Sequence, residues 1–142
     1  MCFQIKIKKP DITFYEIDCN TVLSELQALN LSIMRNGLID SQYYYTTLWG
    51  IKEAVKYARK VYPFPKYVSD KTDCDDFAIL MKGLLSAEFG MNDIGLVFGN
   101  SPQGYHAFNM ARVEDKRVLI EPQTGEVFEI GEKGYTPREV LE

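Results

Sequence analysis

The sequence has few of the residues on which metal binding and acid-base chemistry usually depend. Its 142 residues include one histidine and three cysteines, and no two cysteines stand in a CxxC spacing. An odd cysteine count without that spacing argues against a disulfide framework and against a structural zinc site. Any reaction that needs an imidazole therefore has one candidate, His106.

Long apolar runs and an excess of positive charge are also absent from the sequence. No stretch approaches the ~20 apolar residues that span a bilayer, and the N-terminus lacks the apolar core of a secretory signal. The net charge of −4 gives no basic field that would attract nucleic acid. We therefore expect a cytoplasmic protein that binds neither membrane nor nucleic acid.

Hydrophobic spacing divides the chain into helices followed by strands. Helices are predicted at about 20–29, 47–61 and 72–89. Strands are predicted at about 3–8, 94–99, 105–113, 117–121 and 126–130, and residues 12–17 are expected to form a second strand or an extended arm. Thr136 and Pro137 are typical of the start of a terminal helical turn. The pattern predicts one α+β domain over 1–142, with N-terminal helices on an antiparallel β-meander, a core at about 47–131 and residues 1–46 packed on that core.

Three reactive side chains fall at informative places in this pattern. Cys74 lies in the first turn of the third helix, where unpaired N–H groups and the helix dipole favour a thiolate. His106 lies near the start of a predicted strand, and Glu121 ends the next strand. A cysteine nucleophile, an imidazole base and a carboxylate that orients the base are the inventory of a thiol hydrolase.

The register of the two strands decides whether His106 and Glu121 can meet. A connection with an even number of loop residues puts both side chains on one face of the hairpin. A loop centred between Val113 and Glu114 would place them directly opposite each other. A tight turn at residues 115–116 would instead slide Glu121 opposite Met110, and an odd loop or a bulge would separate the faces.

The segments that carry these residues resemble a known enzyme superfamily. "DCDDFA" and "HAFNMARVEDKRVLIEPQTG", within about residues 67–126, are similar to papain-like and transglutaminase-like cysteine enzymes. They are closest to the calcium-dependent papain-like protease domain at the C-terminus of fungal agglutinin lectins and to small bacterial and phage relatives. The resemblance implies a papain-like/transglutaminase-like core with Cys74 as nucleophile at a helix N-terminus, His106 as general base and Glu121 as orienter.

The expected function is a cysteine peptidase or related amide hydrolase that acts on protein or peptide through an acyl-enzyme. The N–H of Cys74 is the first candidate for an oxyanion donor, and four side chains are candidates for the second donor or for substrate contacts. These are Trp49, Gln42, Tyr67 and Gln123. Two alternatives stay open: a transglutaminase-type acyl transferase, and a non-catalytic peptide-binding module with a groove along Tyr43 to Tyr45.

Three aspartates surround the cysteine in "TDCDDFA", namely Asp73, Asp75 and Asp76. They complement the helix dipole, but their charge opposes ionisation of the thiol. A hard cation held by these carboxylates would reverse that local field, and clustered carboxylates suit Ca²⁺. The sequence requires no cofactor, and we expect calcium as a candidate activator.

Overall fold

The structure, a computed structural model, describes residues 7–34, 38 and 40–142. Most of the predicted strand at 3–8 lies outside the described residues. The described residues form three helices and eight strands. The helices are α1 (Cys19–Ala28), α2 (Leu48–Val61) and α3 (Cys74–Phe89). The strands are β1 (Phe14–Asp18), β2 (Ser32–Ile33), β3 (Gln42–Thr46), β4 (Ile94–Ser101), β5 (Gly104–Val113), β6 (Lys116–Glu121), β7 (Glu126–Glu129) and β8 (Thr136–Leu141).

Both ends of helix α3 are set by individual residues. Asp73 is the N-terminal cap, and the carboxylate of Asp76 accepts the backbone N–H of Asp73 at 3.2 Å. At the other end, Gly90 adopts the left-handed conformation, φ 69°, which glycine reaches without steric cost. The cap therefore places Cys74 at the first helical position, where the amide groups of the helix are unpaired.

One mixed sheet holds all eight described strands. Its order is β1-β3-β5-β4-β8-β2, and β6 and β7 continue from β5 as a branch. The long β4–β5 hairpin pairs antiparallel from Ile94↔Ala111 to Ser101↔Gly104. Parallel pairing joins β3 to β5 and β2 to β8. The sheet therefore takes strands from both ends of the described chain.

The predicted architecture of N-terminal helices on a separate antiparallel meander is wrong. Three strands come from the part of the chain before α2, and they extend the sheet rather than lying on top of it. The predicted terminal helical turn is also wrong, because Thr136–Leu141 forms β8 between β4 and β2. Val140 of this strand is fully buried, as expected for a side chain on the inward-facing side of a strand.

Two hydrophobic clusters pack on opposite faces of this sheet. Ala111 and Val113 of β5 face a cluster with residues of α2 and α3, whereas Phe108 and Met110 face a cluster with residues of α1. This division follows from the period of two in side-chain direction along a strand. Each fully buried large apolar side chain contributes roughly 1.5–3 kcal/mol. Within the described residues, no helix is both long and apolar enough to cross a membrane.

Candidate functional site

His106 and Glu121 form a hydrogen-bonded pair at one end of the β5–β6 hairpin. The Nε2 atom of His106 lies 2.7 Å from Oε2 of Glu121. The exposed fractions of the two side chains are 16% and 6%. Both groups are therefore largely removed from water, and the pair is geometrically fixed.

The strand register that creates the pair lies between the two registers considered from the sequence. Val113 pairs with Lys116 across a two-residue turn, and Asn109 pairs with Ile120. Continuing this register puts Glu121 opposite Phe108, two residues from His106 and on the same face of the sheet. The shared face that an even loop predicts is confirmed, and the long glutamate side chain spans the diagonal.

Three donors hold the carboxylate of Glu121 in its ionised form. In addition to His106, the hydroxyl of Tyr135 donates to Oε2 at 2.8 Å, and the backbone N–H of Gln123 donates to Oε1 at 3.0 Å. Burial alone would raise the pKa of Glu121, but these hydrogen bonds outweigh it and lower the pKa. Burial, followed by the bond to Glu121, raises the pKa of Tyr135, which therefore stays a donor.

An aromatic cluster packs against the imidazole of the His106–Glu121 pair. The ring of Tyr135 packs edge-to-face on His106, Phe108 and Phe128, with centroid separations of 6.1, 5.2 and 5.0 Å. Phe108 also stacks on the His106 ring at 6.1 Å. Such contacts fix the orientation of the imidazole by packing as well as by hydrogen bonding.

An open cleft of about 380 Å³ lies in front of the pair. Its walls combine aromatic, amide, hydroxyl, imidazole and carboxylate side chains. They are Tyr67, Gln103, His106, Glu121, Gln123, Thr124 and Tyr135. Tyr67 stacks on Phe77 at 6.4 Å with an interplanar angle of 4°, and half of its surface stays exposed. The size of the cleft lies in the range of small-molecule sites.

Cys74 lies beside this cleft rather than in its wall. It is half-buried and packs on the small cluster of Ala78, Leu96 and Ala107. It is also close to Tyr67: partial burial raises the pKa of that tyrosine, and the neighbouring Asp73 and Cys74 raise it further. Among the described residues, no hydrogen bond joins the sulfur of Cys74 to the His106 ring. The structure thus brings His106 and Glu121 together, whereas Cys74 packs on the cluster that contains Ala107, the residue after His106.

The three aspartates predicted as a calcium site are only partly assembled. Ligand atoms of Asp73, Cys74 and Asp75 lie within 4.8 Å of one another. The carboxylate of Asp76 instead accepts the N–H of Asp73. A hydrogen bond between Asp73 and Asp75 lowers the pKa of the first and raises that of the second. Two carboxylates suit Ca²⁺ and a thiol does not, and calcium binding stays a prediction.

The other side chains singled out from the sequence lie in different places. Tyr67 and Gln123 line the cleft, as described above. Trp49 is 59% exposed and lines another cavity beside Lys56 and Lys60. Gln42 lies in β3, where it pairs with Asp18 of β1. Neither Trp49 nor Gln42 belongs to the wall of the cleft.

The tyrosine run and three cleft residues also differ from expectation. Tyr43 is buried, and Tyr45 stacks on Tyr15 at 5.5 Å, so this run forms no part of the cleft. Sequence analysis did not single out Gln103, Thr124 or Tyr135, all of which line it. Gln103 and Thr124 lie in turns next to β5 and β6. They are close in sequence to His106 and Glu121, and this closeness could have indicated that they line the same site. For Tyr135 there was no such signal.

Comparison with known proteins identifies a family and a fold. Residues 17–140 match the family described as ricin-type beta-trefoil lectin C-terminal domain. One similar solved structure is the PSL1a–E64 complex, with a TM-score of 0.72, 22% identity, and coverage of 89% of this chain and 51% of that chain. Another is Polyporus squamosus lectin bound to the human-type influenza-binding epitope Neu5Acα2-6Galβ1-4GlcNAc, with a TM-score of 0.68, 21% identity, and coverage of 89% and 49%. The chain thus spans about half the length of these structures. No curated protein matches the sequence.

These comparisons correct several expectations drawn from the sequence. The matched family and the Polyporus squamosus structure are lectins by description, whereas the sequence resemblance pointed to papain-like and transglutaminase-like enzymes. The expectations of a papain-like α+β core, a cysteine peptidase or amide hydrolase and a transglutaminase-type transferase are therefore wrong, and the comparisons give no support for a protein or peptide substrate. The individual roles predicted for Cys74, His106 and Glu121 are tested by none of these observations and stay predictions.

Proposed function

The chain belongs to the ricin-type beta-trefoil lectin C-terminal domain family, and on that basis we propose that it is a carbohydrate-binding domain whose ligand occupies the cleft beside His106 and Glu121. The observation that carries the proposal is the composition of the cleft wall. The hydrogen-bonded pair of His106 and Glu121 lines the cleft together with the exposed ring of Tyr67 and the amide side chains of Gln103 and Gln123. The Polyporus squamosus structure supports the ligand class, since that lectin is bound to a glycan.

The chemistry of the wall suits a sugar ring. A sugar presents hydroxyl groups that both donate and accept hydrogen bonds, and C–H faces that are apolar. Amide side chains match the hydroxyl groups because they offer donors and an acceptor on the same group. Gln123 and Gln103 supply two such amides, and Tyr67 supplies an aromatic face for the C–H side of a ring.

Several polar groups in the cleft are available to a ligand. Within the described part of the chain, the side-chain amide of Gln123 has no hydrogen-bond partner, and only its backbone N–H is used. The Nε2 atom of His106 faces the ionised Glu121, and among the described residues the Nδ1 atom of the same ring has no hydrogen-bond partner. Unused donors and acceptors at a prearranged site favour binding because less conformational entropy is lost.

The aromatic wall is prearranged in the same way. Tyr67 follows the break after α2, and its stacking on Phe77 anchors the ring to the first turn of α3. Phe77 itself is buried and stacks on Phe64 at 5.6 Å. The exposed half of Tyr67 is therefore presented by a rigid base, as a stacking platform for a ligand requires.

Calorimetric titration with a panel of oligosaccharides tests the proposal. We expect at least one oligosaccharide to bind, and Tyr67→Ala to weaken that binding by about tenfold or more, since loss of a stacked aromatic contact removes on the order of 1.4 kcal/mol. Tyr105→Ala is the matched control, because Tyr105 is 64% exposed and does not line the cleft. The proposal fails if no oligosaccharide binds, or if the two variants weaken binding equally.

A further inference from the structure

We infer that the solvent-exposed face of helix α2 is a docking surface for an anionic lipid bilayer, with Trp49 at the level of the headgroups and three lysines over the lipid phosphates. This surface, the basic face, consists of Trp49, Lys52, Lys56 and Lys60. None of these four residues lines the cleft that contains the His106–Glu121 pair. The basic face is therefore separate from the proposed carbohydrate site.

The spacing of these four residues puts them on one side of α2. At about 3.6 residues per turn, the steps of three, four and four residues from Trp49 to Lys60 return to nearly the same direction, and the stripe is about 17 Å long. All four residues are exposed. The opposite side of the helix is buried in the core through Ile51, Ala54, Val55 and Ala58. The apolar side thus holds the helix in the fold, and the basic face is left for a partner.

Further cations extend the basic face on both sides. One cavity of about 350 Å³ is lined by α2 and by the N-terminal segment that carries Lys8 and Lys9. A second cavity of about 380 Å³ is lined by α2, including Arg59, and by the turn at residues 124–125. Together the two cavities are lined by six cationic side chains and two carboxylates, whereas the whole chain has a net charge of −4. The positive charge is therefore concentrated on this side of the protein.

Most of this charge is not neutralised by a carboxylate of the protein itself. Among the described residues, Lys8, Lys52 and Lys60 have no carboxylate partner. Lys56 has its Nζ atom 3.8 Å from Oε1 of Glu53, with 68% of the lysine side chain exposed. Clusters of about four to eight basic residues attract an anionic bilayer, and each residue near the surface raises the affinity by about fivefold. The basic face and its flanking cations therefore suit a surface that contains phosphatidylserine.

Trp49 gives the basic face an anchor for the headgroup region. It is the one tryptophan of the sequence, and 59% of its surface is exposed. The Oγ1 atom of Thr47 accepts the backbone N–H of Gly50 at 3.0 Å, which fixes the first turn of α2 and with it the backbone of Trp49. An indole combines an apolar ring with a polar N–H group, and such rings concentrate at the boundary between membrane and water.

The composition of the surface favours lipid over protein or nucleic acid. Lysine is depleted in protein–protein interfaces, and immobilising its flexible side chain is costly, whereas lysines over a bilayer stay hydrated. Single-stranded nucleic acid binds to several stacked aromatic rings. In the first cavity, however, the ring of Tyr57 packs edge-to-face on Phe89 at 5.5 Å, which leaves Trp49 as the exposed ring. The guanidinium of Arg59 already donates to the carbonyl oxygen of Pro122.

The expectation of no membrane contact rested on net charge and on the length of apolar runs. Neither quantity detects cations that are gathered on one face of a helix. Peripheral attachment needs no spanning segment, because charge attraction and a shallowly inserted aromatic ring together provide the affinity.

The fluorescence of Trp49 tests this docking surface directly, because no other tryptophan contributes to the emission. The protein is titrated with vesicles of phosphatidylcholine and with vesicles that also contain phosphatidylserine. We expect a blue shift of the emission with the phosphatidylserine vesicles, none with phosphatidylcholine alone, and loss of the shift at about 0.5 M salt. The double variant Lys52→Gln/Lys60→Gln should bind the phosphatidylserine vesicles about tenfold more weakly or worse, because two of the attractive charges are removed.

The control removes the same charge from a different surface. In Lys116→Gln/Lys133→Gln, two exposed lysines outside both cavities are neutralised, and this variant should bind the vesicles like the wild type. Equal weakening by the two double variants, or no blue shift with phosphatidylserine, overturns the inferred surface. Binding of a single-stranded oligonucleotide without binding of vesicles overturns it as well and assigns the basic face to nucleic acid. Neither vesicle contains a carbohydrate, so every outcome is independent of the proposed function.

Discussion

The imidazole of His106 and the carboxylate of Glu121 lie 2.7 Å apart, although 15 residues separate them in the chain. The short β5–β6 hairpin accounts for this proximity, and the hydroxyl of Tyr135 completes a three-membered polar group at the base of the cleft. Such a group is costly to bury unless each member is hydrogen-bonded. The contribution of this polar group to the free energy of unfolding is therefore expected to depend on pH.

Glu121→Gln is expected to reduce the free energy of unfolding by about 1–3 kcal/mol at pH 7, because the buried carboxylate loses charge-assisted hydrogen bonds. Hydrogen bonds lower the pKa of Glu121 in the folded state below its ordinary value of 4.5. The stabilisation is thus fully present above that ordinary value and is lost as the pH falls through the lowered folded-state pKa. Urea unfolding of both proteins between pH 2 and pH 7 measures the difference.

Glu16→Gln provides the control for this experiment. Glu16 lies exposed in β1, and among the described residues its side chain has no ion pair. Its substitution should leave the free energy of unfolding nearly unchanged across the same pH range. A difference between wild type and Glu121→Gln that stays constant down to pH 2 would contradict the assigned ionisation of Glu121.

Strong local patterns predicted many of the elements, and long-range pairing could not be predicted. The helix at 47–61 and the four strands from 94 to 130 follow from periodicity over many residues, and they agree with α2 and β4–β7 to within a few residues. The parallel pairs β3–β5 and β2–β8 join segments far apart in the chain. Thr136 and Pro137 favour a helix start locally, but burial of Val140 between neighbouring strands outweighs that preference.

The candidate site shows the same division. The sequence could predict that His106 and Glu121 share a face of the sheet, because a short turn with an even number of residues links their strands. Tyr135 reaches Glu121 from beyond β7, and no local pattern encodes that return of the chain. Trp49 illustrates the reverse case, because its place near a helix start was compatible with a site or with the core, and it is exposed outside the cleft.

Alkylation of Cys74 by iodoacetamide tests the prediction of calcium binding. If Asp73 and Asp75 hold a calcium ion, their combined negative field is reversed beside the thiol, and formation of the reactive thiolate becomes more favourable. We expect alkylation of Cys74 to be several-fold faster with calcium than with a chelator. Peptide mapping by mass spectrometry at timed intervals measures the rate at each cysteine.

Cys19 serves as the internal reference in the same reaction. It is also a free, half-buried cysteine, and it opens α1 and packs in a different hydrophobic cluster from Cys74. Calcium should leave its rate unchanged. Equal alkylation rates at Cys74 with calcium and with chelator would remove the predicted metal site.

A second buried polar group lies on the sheet at the end of β8. Arg117 is almost fully buried, and its Nη1 donates to Asp93 at 2.8 Å and to Glu142 at 3.1 Å. Burial and the nearby charge of Asp93 raise the pKa of Glu142 to about 8. One proton is therefore retained by the two carboxyl groups beside a single guanidinium near neutral pH.

Glu142→Gln is expected to become more stable relative to wild type as the pH rises. In the wild type, the folded-state pKa of Glu142 is raised from 4.5 to about 8, so its contribution to stability is complete below 4.5 and is lost as the pH rises through 8. The glutamine variant has no such proton to lose, and the difference in free energy of unfolding should shift in its favour by up to ~1.4 kcal/mol per pH unit within that window. Denaturant unfolding between pH 4 and pH 9 measures this slope, with Glu139→Gln in the same strand as a control. A difference that does not vary with pH would show that Glu142 is already ionised in the folded protein at pH 5.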